Sequence, residues 1–420
     1  MPRPFRRPRL RSTAAVCTTL SALAATSLVS GTSPTGPDRA AACALRRTGA
    51  HHSEGLDTWN AAYPRPTRRL DAAMVFLSFP DAVPRTTPAE LTADHFPATS
   101  RFFERSSYGR FTLRPHPLGH WIRMPRPSTA YAVRRDWNPG RRSAYLRDAV
   151  AAADPEVDFS RYDVVYFVAD PDAPGVDSDA TKVVNLDTPL RADGRDIRRV
   201  VTVFERHPPD RLVLAHETGH VFDLPDLYQR PVDGKGDWDT YVGDWDLMGS
   251  QFGLAPDLFA WHKWKLGWLD PRQVVCARSL GTTRVTLEPL GAGPATPMTG
   301  AAGVPVFGLG HGTKLAVVRT GPDSVLAFEA RGPVGNDASA CRAGILVYRV
   351  RSGAASGGGP VRVIDAHPHT AACWEGSVYP PLADAPVGLG ESFTVPGEGV
   401  RVEAESRTAS GAWTVKITAG

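Results

Sequence analysis

A chain of 420 residues is long enough for two ordinary domains, or for one large domain with an appended module. Hydrophobic residues at 42% and charged residues at 22% are normal for a soluble globular protein. The formal charge of +4 is mild, and part of it sits in Arg3, Arg6, Arg7, Arg9 and Arg11. No other dense Lys/Arg face carries interleaved aromatics, which leaves no case for nucleic-acid binding.

In chain order, the basic start is followed by an Ala/Leu/Thr/Val-rich run from about Ser12 to Val29 and then by SGTSPTGP. This is the layout of an export signal, expected to occupy residues 1–31 with cleavage near Ser30 or Gly31. The run is short and Thr/Ser-diluted for a spanning helix, and no later segment approaches 18 apolar residues, so no membrane insertion is expected once the signal is removed. Cys17 would leave with the signal. Cys43, Cys276, Cys341 and Cys373 remain, too far apart for a CxxC knuckle. Two disulfides are expected outside the cell; four cysteines allow three pairings, of which Cys341–Cys373 as the shorter loop is favoured, leaving Cys43–Cys276 to pin the N-terminal arm.

Residues 32–65 have little periodicity and read as an extended arm or short pro-segment. AAMVFLSF (72–79) is a buried strand, and residues 87–107 have helical spacing broken at Pro97. Residues 109–124 read as strand pieces with turns, 141–154 as a short helix, and 162–170 and 198–205 as further buried strands. Strands alternating with helices predict an α/β layer up to the HETGH stretch at 216–220.

The stretch PPDRLVLAHETGHVFDLPD predicts a helix that begins near Pro209 and Asp210 and stops at Pro225, with Leu212, Val213, Ala215 and Phe222 burying one side. On it His216 and His220 are four apart and project from one face. Two imidazoles so placed can grip one tetrahedral zinc, and Glu217 can reach water on that metal. Zinc brings the pKa of such water towards about 7. A carboxylate can then take its proton during attack on a peptide carbonyl and pass it to the leaving amine. A third ligand is needed. Asp226, just beyond the helix, suits if the chain turns back at Leu224-Pro225, and Asp223 is the nearest competitor.

HETGHVFDLPDLY, with GDWDLMGS (243–250) and DLFAWHKWKLGWL (257–269), resembles the immune inhibitor A family of secreted metallopeptidases, which is similar to the metzincins. FLSFPD (76–81), FFERSSYGRFTL (102–113), AFEARGPVGND (327–337) and GILVYRV (344–350) extend the resemblance over roughly residues 72–420. It implies a zinc motif with His216, Glu217, His220 and Asp226 in register, and a methionine-bearing turn at Met248. Asp223 stands where the metzincin motif has Gly at a left-handed turn, a conformation Asp tolerates better than most residues.

Trp261, Trp264 and Trp268 form one helical stripe ended by Gly267 and are expected in the core. Asp233, Asp237 and Asp239 could bind Ca2+, but they lack EF-hand spacing and a solvated loop is favoured. Tyr228 and Tyr241 could face an oxyanion or simply pack. His51, His52, His367 and His369 have no partner pattern and read as surface residues. Beyond residue 272 come short strands separated by Gly, Pro and Asp, the pattern of a β-sandwich, with GAASGGGP (353–360) as a flexible loop.

The expectation is therefore an α+β protein. A metzincin-like catalytic domain of mixed sheet and helices spans 66–272, and a β-sandwich-like module spans 273–420. It would act as a secreted, monomeric Zn2+ endopeptidase on protein or peptide substrates. The alternative is a zinc-stabilised extracellular binding protein or adhesin without turnover. Glu217 separates the two, because a structural zinc needs no base beside its first ligand and usually closes its sphere with four protein ligands.

Overall fold

The computed structural model describes residues 40–231, 234–293, 298–299, 305–306 and 312–420. The expected export signal, Cys17, Asp233 and the first residues of the arm lie outside them. The fold is mixed α+β. Its first sheet is assembled from β1 (Arg69–Ser78), β2 (Thr112–Arg123), β3 (Val164–Ala169), β4 (Lys182–Ala192) and β5 (Arg195–Val203), in the order β2-β1-β3-β5-β4. β1, β2, β3 and β5 run parallel, whereas β4 pairs antiparallel with β5 and forms one edge.

Alternation along β1 explains why its sequence is almost continuously apolar. Leu70, Ala72, Met74 and Phe76 face one core, and Ala73, Val75 and Leu77 face another. Helix α1 (Pro88–His95), opened by a Thr87/Glu90 capping box, and α2 (Ala98–Ser106) cover the first face, where Leu91, Phe102 and Phe103 are buried. The short α3 (Ser128–Tyr131) and α4 (Pro139–Ala153), whose Asn138 cap accepts from Gly140 and Arg141, cover the second.

Two strands differ from the sequence-based expectation. Residues 112–123 form one strand, not pieces, because β2 is the other sheet edge, where Pro115 and Pro117 need no ladder donor. β4 was not foreseen. As a half-exposed edge strand it carries no apolar run.

Beyond α5 (Val213–Val221) and α6 (Ala260–Lys265) come β6 (Val274–Cys276), β7 (Gly281–Leu287) and a two-residue pair, β8 (Met298–Thr299) with β9 (Pro305–Val306). They are followed by β10 (Leu315–Arg319), β11 (Ser324–Arg331), β12 (Gly344–Arg351), β13 (Val361–Ile364), the turn α7 (Pro380–Ala383), β14 (Ser392–Val395), β15 (Val400–Arg407) and β16 (Trp413–Ala419). These strands make two sheets, β13-β12-β11-β10-β6 and β14-β15-β16-β7. Ala316, Val318, Leu326, Phe328 and Val347 face Val402, Val415 and Ile417 of the second sheet. Leu315, Val317, Val325, Ala327 and Tyr348 point the other way, into the core that holds Phe103, Trp261 and Trp268. The middle sheet is thus buried on both faces, and the packing runs unbroken across residue 272.

Residues 40–65 lack regular structure beyond a turn at Ala40–Ala42, yet they are packed inward. Leu45, Ser53 and Glu54 are fully buried, and Cys43 is bonded to Cys276. Cys341 pairs with Cys373. Both pairings are the ones expected from loop length. No helix of the described residues is long and apolar enough to cross a membrane.

The arm carries buried charge into the core. Glu54 Oε1 lies 2.9 Å from His262 Nε2, and its other oxygen lies 3.9 Å from Lys265 Nζ. The second nitrogen of His262 meets Asp246 Oδ2 at 3.0 Å. Burial alone would strip His262 of its proton, but Glu54 and Asp246 outweigh it and push the imidazole up to about 9. Replacing Glu54 with Ala removes a partner from two buried cations, and the expected loss is about 3–5 kcal/mol in urea unfolding near neutral pH. A folded-state pKa above the unfolded value gives stability that is complete below the unfolded pKa of His and lost as pH rises through about 9. The gap between wild type and Glu54→Ala should therefore narrow over that window. A gap that widens with pH contradicts the assignment.

Candidate active site

Helix α5 spans nine residues, all buried, and is shorter than its sequence suggested. It starts at Val213, after Leu212 in a left-handed conformation, and not at Pro209. It also ends before Pro225. Asp223 N–H donates to His220 O (3.2 Å) and Leu224 N–H donates to Gly219 O (3.1 Å), while Asp223 takes φ +65°. This is a Schellman stop, with Asp at the position that Gly usually fills. The chain reverses there, and Pro225 follows a helix already closed.

The reversal brings three sequence-predicted residues together. One ligand atom from each of His216, His220 and Asp226 lies within 4.8 Å of the others. Asp226 Oδ1 stands 3.0 Å from His220 Nε2 and 3.5 Å from His216 Nε2. Both imidazoles are oriented from behind. His216 Nδ1 donates to Leu247 O (2.9 Å) and His220 Nδ1 to Leu224 O (2.8 Å). Each bond occupies Nδ1 with a proton and turns Nε2, the nitrogen that ligates a metal once deprotonated, towards the shared point, the arrangement that metal-binding histidines require. The donor set of two imidazoles and a carboxylate fits a divalent ion such as zinc and leaves a fourth position to the cleft. Without a cation, burial works against charge on His220, yet Asp226 and Glu217 overcome it and raise its pKa to about 9.

Asp223, the competing third ligand, faces away. Its Oδ1 meets His52 Nδ1 (2.9 Å) and its Oδ2 accepts from Arg47 Nη2 (2.6 Å), while Lys265 Nζ donates to its carbonyl (2.7 Å). His52 is therefore not the surface residue that the sequence suggested. It is 3% exposed, and its ring stacks 5.7 Å from that of His220. His367 is not a free surface residue either: it is half-buried, between Asp384 O and Glu391. No local pattern marks either residue, because their partners are distant in sequence.

Glu217 lines the same cleft, a volume of about 920 Å³, together with both histidines, Asp226 and Tyr228. Its Oε2 accepts from Val183 N–H (2.6 Å) on the edge strand β4. Burial raises its pKa, opposed by the two histidines and by that N–H. Tyr228 lies parallel to His216 at 6.5 Å and shares Asp226 as a hydrogen-bond partner. Tyr241 stands apart, under Arg362. Of the acidic loop, Asp239 lines the cleft, and among the described residues Asp237 and Asp239 join no cluster of three ligands.

Beneath the helix, Met248 is fully buried against Gly219, where an added Cβ would fall 2.4 Å from the Met248 sulfur. Asp246 accepts from Met248 N–H and Phe259 N–H, which fixes the turn that offers Leu247 O to His216.

The left-handed turn predicts an order of stabilities. Asp223→Ala removes the carboxylate from Arg47 and His52 and places a Cβ residue in a left-handed conformation with nothing to hold it there. Asp223→Gly loses the same carboxylate but fits the turn. Urea unfolding should rank wild type above Gly and Gly above Ala, with the last two about 1 kcal/mol apart. Equal stability of the two variants would mean that the turn relaxes. Comparison with protein-family models and with curated proteins finds no match for this chain.

Proposed function

We propose that the chain is an exported zinc-dependent endopeptidase, with His216, His220 and Asp226 holding the metal and Glu217 as general base and acid. The observation that carries the reading is the position of Glu217: it follows the first histidine on the same helix and opens to the cleft that the three ligand atoms face. Zinc bound there would supply a Lewis acid and a water acidified towards about pH 7. Glu217 accepts the proton from the attacking water and returns it to the amine of the cleaved bond. The Val183 N–H holds one carboxylate oxygen still, which leaves the other for proton transfer. β4 is the sheet edge beside the cleft, and its outward backbone groups other than the Val183 N–H, which Glu217 holds, can take up an extended peptide by strand addition. That supports peptides and proteins as the substrate class. Two disulfides and the basic, apolar N-terminal layout support export.

The decisive comparison is Glu217→Gln. Gln still accepts from Val183 N–H and keeps the shape, but it takes no proton. Zinc content and melting temperature should stay near wild type, while peptide-library cleavage falls by at least on the order of 10² to 10⁴. His216→Ala and His220→Ala should instead lose zinc. Undiminished cleavage by Glu217→Gln sinks the mechanism, and a folded, zinc-loaded wild type that cleaves nothing supports the binding-protein alternative. For export, mass spectrometry of the secreted protein should find an N-terminus after about residue 30 and no free thiol. A retained Met1 with alkylatable cysteines contradicts it.

A further inference from the structure

The hairpin joining β12 to β13 returns to the metal centre. Asp226 N–H donates to Ser356 Oγ (2.8 Å), and that hydroxyl donates to Asp226 Oδ2 (2.9 Å). Gly357 N–H donates to Asp226 O (2.9 Å). One side chain, 130 residues further along the chain, thus holds both the backbone and the outer carboxylate oxygen of a single residue. The inner oxygen, Oδ1, is left for the two histidines.

The loop that presents Ser356 is built to keep its place. Gly357 and Gly359 sit at φ +72°, which lets the nine residues from 352 to 360 fold into tight turns closed by Gly358 N–H to Ala355 O and Arg351 N–H to Pro360 O. Gly359 packs so closely on Tyr241 and Arg362 that a Cβ there would lie 3.1 Å from the Tyr241 ring. At the loop's base, Ser352 O accepts from both Thr48 Oγ1 and Ser53 Oγ of the N-terminal arm. The glycine-rich segment read as a flexible loop is thereby clamped between the arm and the second half of the chain.

We propose that Ser356 is a positioning residue for the metal ligand Asp226, so that affinity for the ion depends on the hairpin of the C-terminal sheets. The proposal rests on reading Asp226 as a ligand. A carboxylate that loses its outer partner is free to rotate about χ2 and must be ordered again on metal binding. Outer partners of this kind typically contribute 10- to 100-fold in metal affinity. Ser356 does not line the cleft, so it acts through Asp226 and not on substrate.

The test is the zinc dissociation constant of the full chain, measured by competition with a chromogenic chelator at fixed pH. Ser356→Ala should weaken zinc binding about tenfold or more, and Ser356→Thr, which keeps the hydroxyl, should stay near wild type. In an Asp226→Ala background the Ser356→Ala change should add nothing, because the group it acts through is gone. If Ser356→Ala does not fold, Ser356→Cys, a weaker donor of similar size, should give an intermediate loss. Wild-type affinity in Ser356→Ala, or an equal loss in the Asp226→Ala background, overturns the proposal while leaving the metal centre intact. A wild-type chain with no affinity for zinc overturns both.

Discussion

The left-handed turn at Asp223 is the constraint on which the rest of the site depends. A helix that continued past Val221 would carry Asp226 away from His216 and His220, whereas a chain reversed within two residues brings it back. Glycine would make that reversal without strain, but glycine has no side chain to anchor it. Asp accepts some strain and gains two side-chain partners, the Arg47 guanidinium and a His52 imidazole that burial keeps neutral, plus a lysine on its carbonyl. The turn is therefore held from outside the helix, and two of the holding groups come from a segment more than 170 residues upstream.

That dependence explains why so much charge is buried here. Glu54, His262, Asp246 and Lys265 link the arm, helix α6 and the Met248 turn, and each ion in the chain has a counter-charge or a carbonyl within reach. Buried ion pairs of this sort add little net stability compared with apolar packing, but losing one member is costly. Such a network suits a place where geometry matters more than stability. Its members orient backbone groups: Asp246 sets the turn that offers Leu247 O to His216, and Lys265 sets Asp223 O at the helix end. The arm supplies these contacts while it stays packed, tied down by Cys43–Cys276.

The C-terminal sheets take part in the same way. Because the middle sheet is buried on both faces, one against the core that holds α5 and α6 and one against its partner sheet, its hairpins have fixed positions relative to His216, His220 and Asp226. The β12–β13 hairpin meets Asp226 from one side while the arm supports the hairpin's base. Three distant segments thus converge on one turn of chain, and the cleft itself stays open between that turn and the edge strand β4.

By itself the sequence determined the local chemistry. The spacing of His216 and His220 on a helix places two imidazoles on one face whatever surrounds them, and Glu217 follows from adjacency. The continuous apolar runs of β1, β3 and β5 and the break at Pro97 were legible for the same reason, since short-range periodicity encodes them. The three tryptophans expected on one helix are divided instead: α6 ends at Lys265, Trp268 lies beyond it in the core, and Trp264 is only half-buried. What it did not determine depends on contacts between residues far apart along the chain. Asp223 and Asp226 are both plausible ligands in one dimension, and only the φ of Asp223, held by Arg47 and His52, decides which carboxylate faces the histidines. His52 read as a surface residue and Ser356 as part of a flexible loop, because a lone His or Ser carries no pattern until its partner is in space. β4 escaped notice since an edge strand half open to solvent needs no apolar run. Helix periodicity is a local property of the backbone, whereas which carboxylate joins the two histidines is set by where tertiary packing lets the chain turn.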